Sequence, residues 1–461
     1  MESFPSSKEV NVSDSKEQIA NAVVNGGEPS AEAKSRWQVA LRALRHRNFQ
    51  LFFSGQLISL IGTWMQSVAQ SWLVYRLTGS ALLLGSVGFA SQIPVFLFSP
   101  LGGITADRVN RRSIVITTQI SAMVLAFILA VLTLSHRIQV WHVFVLASLL
   151  GIVNAFDIPS RQSFLVEMVG KEDLMNAIAL NSSMFNGARV IGPAIAGILV
   201  ARIGEGWCFF GNAVSYIAVI VGLLLMKVHS PARTLSASPF EHMMEGFRFV
   251  EKTAPIRALL ILLGIVSLVG MPYVVLMPIF ADQILHGGAR GLGILMGATG
   301  VGALLGALTL AFREGVKGLG RWVAWCCAGF GASLVIFSLS HRFWISVILL
   351  LPVGYTMMLQ MACSNTLIQV MVPDALRGRV MAVYSMMFMG MAPIGALLGG
   401  ALADHLGAPL TVAIGGGASL FGAAWFRLQL PKIRVEARRL IVAQEVAGGE
   451  PSEMTAQAVE D

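Results

Sequence analysis

Met168-Val-Gly-Lys-Glu-Asp-Leu-Met-Asn176 and Met371-Val-Pro-Asp-Ala-Leu-Arg-Gly378 are two versions of one passage, about two hundred residues apart. Each is a short polar turn that leads into a long apolar run. The first run carries Gly192-Pro193 and the second Ala392-Pro393. The separation is close to half of the apolar part of the chain. Two similar apolar halves are the layout of a secondary transporter, with a binding site where the halves meet.

The composition around these passages agrees with a membrane setting. The chain has 461 residues, of which 55% are hydrophobic and 13% charged, with a mean hydropathy of +0.70. A soluble fold of this length needs more polar residues to cover its surface. Runs long enough to span a bilayer fall at 49–75, 81–106, 113–134, 141–166, 174–203 and 207–227, then at 256–282, 288–312, 321–340, 343–372, 378–404 and 408–430. The expected fold is an all-α membrane protein of twelve transmembrane helices in two six-helix halves, 47–227 and 256–430. Residues 1–46 lack the apolar segment of a signal peptide and read as a disordered tail, and 431–461 read as a second tail. Between the halves, 228–255 is polar. Phe240, Met243, Met244, Phe247 and Val250 recur there at helical spacing. They predict a helix lying on the membrane surface or a solvated linker helix.

Charge placement sets the expected orientation. Of the 33 Lys and Arg residues, 27 fall on the tails and on one set of loops. The opposite loops hold five (Arg76, Arg137, Arg202, Arg290 and Arg342), and Arg189 lies within a run. The bias puts both termini and the 228–255 loop in the cytoplasm of a bacterial cell, with the protein in the cytoplasmic membrane. It also explains the net charge of +8 without a nucleic-acid surface, because the charges are scattered over short loops. No phosphate-binding Gly-x4-Gly-Lys-Ser/Thr loop is present, which disfavours an ATP-driven pump. Cys208, Cys326, Cys327 and Cys363 sit in apolar stretches and read as buried thiols. Neither a metal nor a cofactor is expected.

After the second run comes Gly103-Ile-Thr-Ala-Asp107-Arg108-Val-Asn-Arg111-Arg112. This loop resembles the signature of the major facilitator superfamily, with Asn110 where the family usually has Gly. Asn tolerates a left-handed turn, so the departure is mild. The resemblance implies that Gly103 lets a neighbouring helix approach. It implies that Asp107 faces the start of the eleventh helix near Gly378 when the cytoplasmic side is closed, where free N–H groups favour an anion. Arg108, Arg111 and Arg112 would hold the loop at lipid head groups or pair with acids of adjacent loops. On the fifth run, Gly192, Pro193 and Gly197 resemble the motif associated with exporters of that superfamily, and they predict a kinked, closely packed helix. Asp157-Ile-Pro-Ser-Arg161, Leu376-Arg-Gly378-Arg-Val-Met-Ala382, Gly55-Gln-Leu-Ile-Ser59, Gly62-Thr-Trp-Met-Gln66 and Leu77-Thr-Gly-Ser80 look like one bacterial branch. That branch contains the enterobactin exporter and the transmembrane secretion effectors. The likeness covers roughly 40–430.

Ionisable residues inside a membrane are costly and mark function. Asp157 lies ten residues before Glu167, roughly 15 Å along a helix axis. Arg161 stands one turn on and shares its face. Asp157 is therefore either a proton-coupling site or half of a permanent ion pair, and Arg189 is a second possible partner at the cost of a long reach. Asp282 and Asp404 lie near helix ends and read as interfacial. Gln66, Gln70, Asn154, Asn181, Tyr273, Gln360, Asn365 and Tyr384 are candidates to line a cavity between the halves or to bond helix to helix. Few charges among them suit a large amphiphilic or uncharged substrate. The expected function is a monomeric, proton-coupled exporter of a drug-like or siderophore-like small molecule, working by alternating access within membrane lipid. An importer or lipid flippase on the same fold is the alternative. An intramembrane enzyme is a remote third, resting on Ser333 and His341 alone.

Overall fold

The apolar runs become helices because lipid offers no partner for backbone N–H and C=O groups, so each run must satisfy its own. The computed structural model describes residues 42–170, 172–226, 239–313 and 315–447. The first half holds α1 (Arg47–Thr78), α2 (Ala81–Arg108), α3 (Arg111–Leu134), α4 (Val140–Val169), α5 (Leu174–Ile203) and α6 (Glu205–Leu225). The second holds α7 (Ala254–Ile284), α8 (Gly288–Ala311), α9 (Leu319–Ser338), α10 (Phe343–Met371), α11 (Asp374–Leu406) and α12 (Ala408–Ala447). Among the described residues, eleven of these are long and apolar enough to cross a membrane. The twelfth is α1, whose 32 residues are diluted by the buried polar side chains of Gln56, Ser59 and Gln66. The outer face is apolar and bare, as lipid requires: Phe421 is 75% exposed and Trp344 69%. Polar contacts lie inside instead. Asn212 of α6 donates to Gln66 of α1 at 2.7 Å and locks two helices of the first half together.

Local chemistry explains the boundaries. Ser80 caps α2 by accepting from the N–H of Leu83, and Asn110 caps α3 by accepting from that of Ser113. Asn110 has φ −60°, so its role is that of a helix cap and not of the left-handed turn that its place in the motif suggested. Gly79, at φ 63°, supplies the left-handed conformation that ends α1.

Three features depart from the sequence reading. α7 is interrupted: wide turns at Val266–Gly270 and Phe280–Ile284 flank Pro272, which has no N–H to give the preceding turn. α12 runs past Leu430 to Ala447, where a tail was expected. Pro431 is accommodated within it, and the Arg, Glu, Ala and Leu residues that follow are good helix formers. Ala437, Leu440 and Ile441 of this extension pack against the core. Residues 42–45, placed in the disordered tail, form a short 3-10 turn; residues 1–41 of that tail lie outside the described residues.

The two matched passages anchor corresponding segments. Asp173 pairs with Arg42 at 2.8 Å and with His46 at 2.7 Å, and Asn176 accepts from the N–H of Ala43 at 2.8 Å. The segment before α1 is thereby tied to the α4–α5 turn. In the second half a linker helix, Pro239–Lys252, packs on the start of α11. Glu245 pairs with Arg379, and Gly246 lies against the Arg379 carbonyl. Val250 of this helix is buried and Phe247 packs on the core, whereas Met244 is exposed; the Phe240 and Met243 side chains lie outside the described residues. The part of the linker at 227–238 lies outside the described residues.

Candidate functional site between the halves

The halves meet differently at the two ends of the bundle. At the end opposite Arg42 and Ala447, Asp404 of α11 sits on the N-terminus of α2. Its Oδ1 accepts from the Ser80 hydroxyl at 3.2 Å and from the N–H groups of Ala81 (3.2 Å) and Leu82 (3.5 Å). These N–H groups have no partner within their own helix, and the helix dipole favours an anion there. The Tyr75 hydroxyl of α1 donates to Asp282 Oδ2 of α7 at 2.8 Å. Both contacts join one half to the other. Glycines bring the backbones together next to them. A Cβ on Gly400 would lie 2.5 Å from the Ala81 carbonyl and 2.9 Å from Gly85 Cα. A Cβ on Gly197 would lie 2.9 Å from Gly293 Cα of α8. Contact between α2 and α11 continues as far as Phe96 against Gly390.

At the basic end, which carries Arg42 and Ala447, the signature loop is not docked. Asp107 is 63% exposed, and its ion pair is with Arg111 of its own half at 3.5 Å. Gly378 is exposed, and a Cβ there would meet no atom within 4 Å. Its helix begins earlier than the sequence suggested, at Asp374, which pairs with Arg377. Gly103 likewise has open space around it, and the close approach predicted for it belongs to Gly102, packed on the Ala155 carbonyl of α4. Arg111 donates to the Ser163 carbonyl and pairs with Glu167 at 3.0 Å. Arg112 caps α6 by donating to the carbonyls of Leu223 and Leu224 at 2.8 and 2.9 Å. Arg108 stays exposed.

The middle holds two charged sites. Asp157 is buried between α3 and α4. Its Oδ1 accepts from Thr118 Oγ1 at 2.8 Å and Gln119 Nε2 at 2.9 Å, and its Oδ2 faces Arg161 Nε at 3.4 Å. The pairing one turn on is the one the sequence indicated; Arg189 does not join it. Arg189 lies over the Trp64 ring instead, with its guanidinium carbon 5.6 Å from the centroid. Phe185 meets that ring edge-on at 5.6 Å. Gly192 allows this closeness, since a Cβ there would lie 2.5 Å from Trp64 Cβ. Among the described residues no carboxylate pairs with Arg189, and Tyr273 of the other half is within electrostatic range of it.

The eight cavity candidates divide. Gln66 is bound to Asn212 within the first half, and Tyr384 donates to the Met361 carbonyl at 3.3 Å. Asn365 accepts from Gln369. Gln70, Asn154 and Asn181 are half-buried. Tyr273 and Gln360 are buried, with the Tyr273 hydroxyl and both Gln360 amide atoms lacking a partner among the described residues. Such orphaned groups carry a desolvation cost until something bonds them. Of the remote enzymatic pair, Ser333 is on α9 and His341 lies beyond its end at Ser338.

The profile of the transmembrane secretion effector family, a branch of the major facilitator superfamily, matches residues 38–449. The chain belongs to that family. It is 28% identical to the staphyloferrin A transporter of Staphylococcus aureus over 79% of this chain and 92% of that one. It is 25% identical to the enterobactin exporter EntS of Shigella boydii over 88% and 96%. Solved transporters share the fold at low identity. The nucleoside transporter NupG aligns with a TM-score of 0.66 at 13% identity, over 83% of this chain and 98% of that one. A bacterial homologue of the lysosomal transporter Spinster, inward-facing and unoccupied, aligns with a TM-score of 0.58 at 15% identity, over 87% and 98%. This member of the secretion effector family is thus a multi-pass membrane transporter of the major facilitator type. Its inter-half contacts are not visible as such in the sequence, where Asp282 and Asp404 are only acids at helix ends. The available signal for Asp404 is a cap sequence, Thr78-Gly-Ser80, with an anion at the facing end of another helix.

Proposed function

We propose that the protein is a monomeric, proton-coupled exporter that carries a siderophore-like or drug-like molecule across the bacterial cytoplasmic membrane, with its basic end in the cytoplasm. The observation that carries this reading is the asymmetry between the ends. Asp404 and Asp282 bridge the halves at one end, while Asp107 at the other is exposed and undocked. An alternating-access carrier moves between two such states around a central site. On the orientation given by the basic loops, this state opens to the cytoplasm and is the one that loads an outgoing molecule. Transport of siderophores is what the two relatives are named for.

The substrate would meet Arg189, Trp64 and Tyr273. A cation over an indole, with no carboxylate paired to it among the described residues, suits an anionic molecule that carries rings better than a neutral one. For the proton, Asp157 is the described carboxylate that lies far from a helix end within the spans. A proton on Asp157 would compete with Arg161 and free it, and this couples charge to the packing of α3 on α4. The test is pH-gradient-driven accumulation of a catecholate siderophore in inside-out vesicles. Wild-type protein should accumulate it, and Asp157→Asn should lose about tenfold or more of the gradient-dependent rate, the scale of one lost charge contact. An unchanged pH dependence in Asp157→Asn would return this residue to a structural role, and net uptake by whole cells would overturn export.

A further inference from the structure

The second half carries a cavity between α9 and α12, away from the described contacts between the halves. It is about 270 Å³ and is lined by Arg321, Ala324 and Trp325 of α9 and by Arg427, Leu430, Pro431 and Arg434 of α12. The spacing is that of two facing helical stripes: three and four apart on α9, and three, four and seven apart on α12. Arg321 is two residues into α9, so the cavity sits at the basic end of the bundle. The Arg427 guanidinium lies 4.6 Å from the centroid of the Trp325 ring, which is itself 63% exposed. Arg321, Arg427 and Arg434 are all exposed, and among the described residues none of them pairs with a carboxylate. The cavity is lined by three cations and no acid.

We infer that this cavity binds the phosphate head group of an anionic phospholipid. Three guanidiniums supply forked donors that match phosphate oxygens. Trp325 and Leu430 supply the apolar floor on which the glycerol and first acyl carbons rest. An indole at this level is where a bilayer places Trp, between acyl chains and head groups. Long Arg side chains reach from the helix into the same layer. A basic pocket between helices at the membrane interface is the electrostatic setting in which anionic lipids are retained over zwitterionic ones. A free phosphate would use the same three arginines but would leave the tryptophan and leucine without an occupant. The site owes nothing to the direction of transport or to the proton site, and stands or falls separately.

The experiment is native mass spectrometry of the full chain released from nanodiscs of phosphatidylcholine mixed with phosphatidylglycerol. Wild-type protein should carry bound phosphatidylglycerol. The variant Arg321→Gln/Arg427→Gln/Arg434→Gln should lose about tenfold or more of it, given the energy each basic residue contributes at an anionic surface. A control set at the opposite end, Arg137→Gln/Arg202→Gln/Arg342→Gln, should retain it. If the triple variant does not yield monodisperse protein, the single exposed change Arg427→Gln is read the same way, with a smaller loss. Equal retention by the wild type and the variants would overturn the inference. So would displacement of the lipid by excess inorganic phosphate, which would make this a free-anion site.

Discussion

Arg189 is a cation inside a membrane span with an aromatic ring where a carboxylate would be expected. A charge in that position is tolerated only if something offsets its desolvation, and Trp64 offsets part of it. On the proposed function, the remainder is available to an anionic ligand. Arg189→Gln should therefore weaken binding of an anionic siderophore by about tenfold, on the scale of one charge-assisted hydrogen bond. A neutral analogue should be affected much less. Isothermal titration calorimetry measures both, and equal losses for the two ligands would assign Arg189 to packing. Asp157 shows what one residue reveals in sequence. Its partner Arg161 is legible because it stands one turn away on the same helix. Thr118 and Gln119 are not, because they reach Asp157 from another helix, nearly forty positions earlier.

Helix ends hold the halves together at the end opposite Arg42. Asp404 on the first turn of α2 is the counterpart, at the far end, of what the signature loop offers at the basic end: a carboxylate of one half for the N-terminus of a helix of the other. Asp404→Asn keeps the shape and removes the charge. A carboxylate at a helix N-terminus is worth about 0.3–1 kcal/mol, so the state open at that end should gain roughly two- to fivefold in population. Faster hydrogen exchange at the Ala81 and Leu82 amides would report it, and unchanged exchange would mean that the glycine contacts alone hold this end. The signature loop is readable because it is one continuous stretch. The Asp404 latch is not, because Ser80 and Asp404 are 324 positions apart. Twelve spans are readable from hydropathy, whereas the two wide turns in α7 are not: an extra residue per turn leaves an apolar run apolar. The extension of α12 is hidden by Pro431, which ordinarily signals a stop.

Across the whole molecule the repeat that marks the sequence reappears as contacts. Gly197 and Gly400 stand at equal distances beyond Met168 and Met371, and each makes a close backbone crossing with the other half, at Gly293 and Gly85. Gly192 and Gly395 also correspond, and pack on α1 and α7 within their own halves. The symmetric crossings hold the two halves together at the end opposite Arg42. We propose that Asp107 docks onto the start of α11 in the opposite state. Asp107→Asn should then lower transport several-fold, on the same helix-terminus scale, while leaving the amount of inserted protein unchanged. Full transport by that variant would remove Asp107 from the gate.

The rocking itself is open to direct measurement by electron–electron double resonance, with spin labels on α2 and α11 at Arg108 and Arg377 at the basic end, and at Leu83 and Leu406 at the far end. The four native cysteines are buried and leave the engineered sites distinct. When Asp404→Asn is introduced, the Leu83–Leu406 distance should lengthen while the Arg108–Arg377 distance shortens. Distances that stay fixed at both ends, or that change in the same direction, would contradict alternating access by two rigid halves.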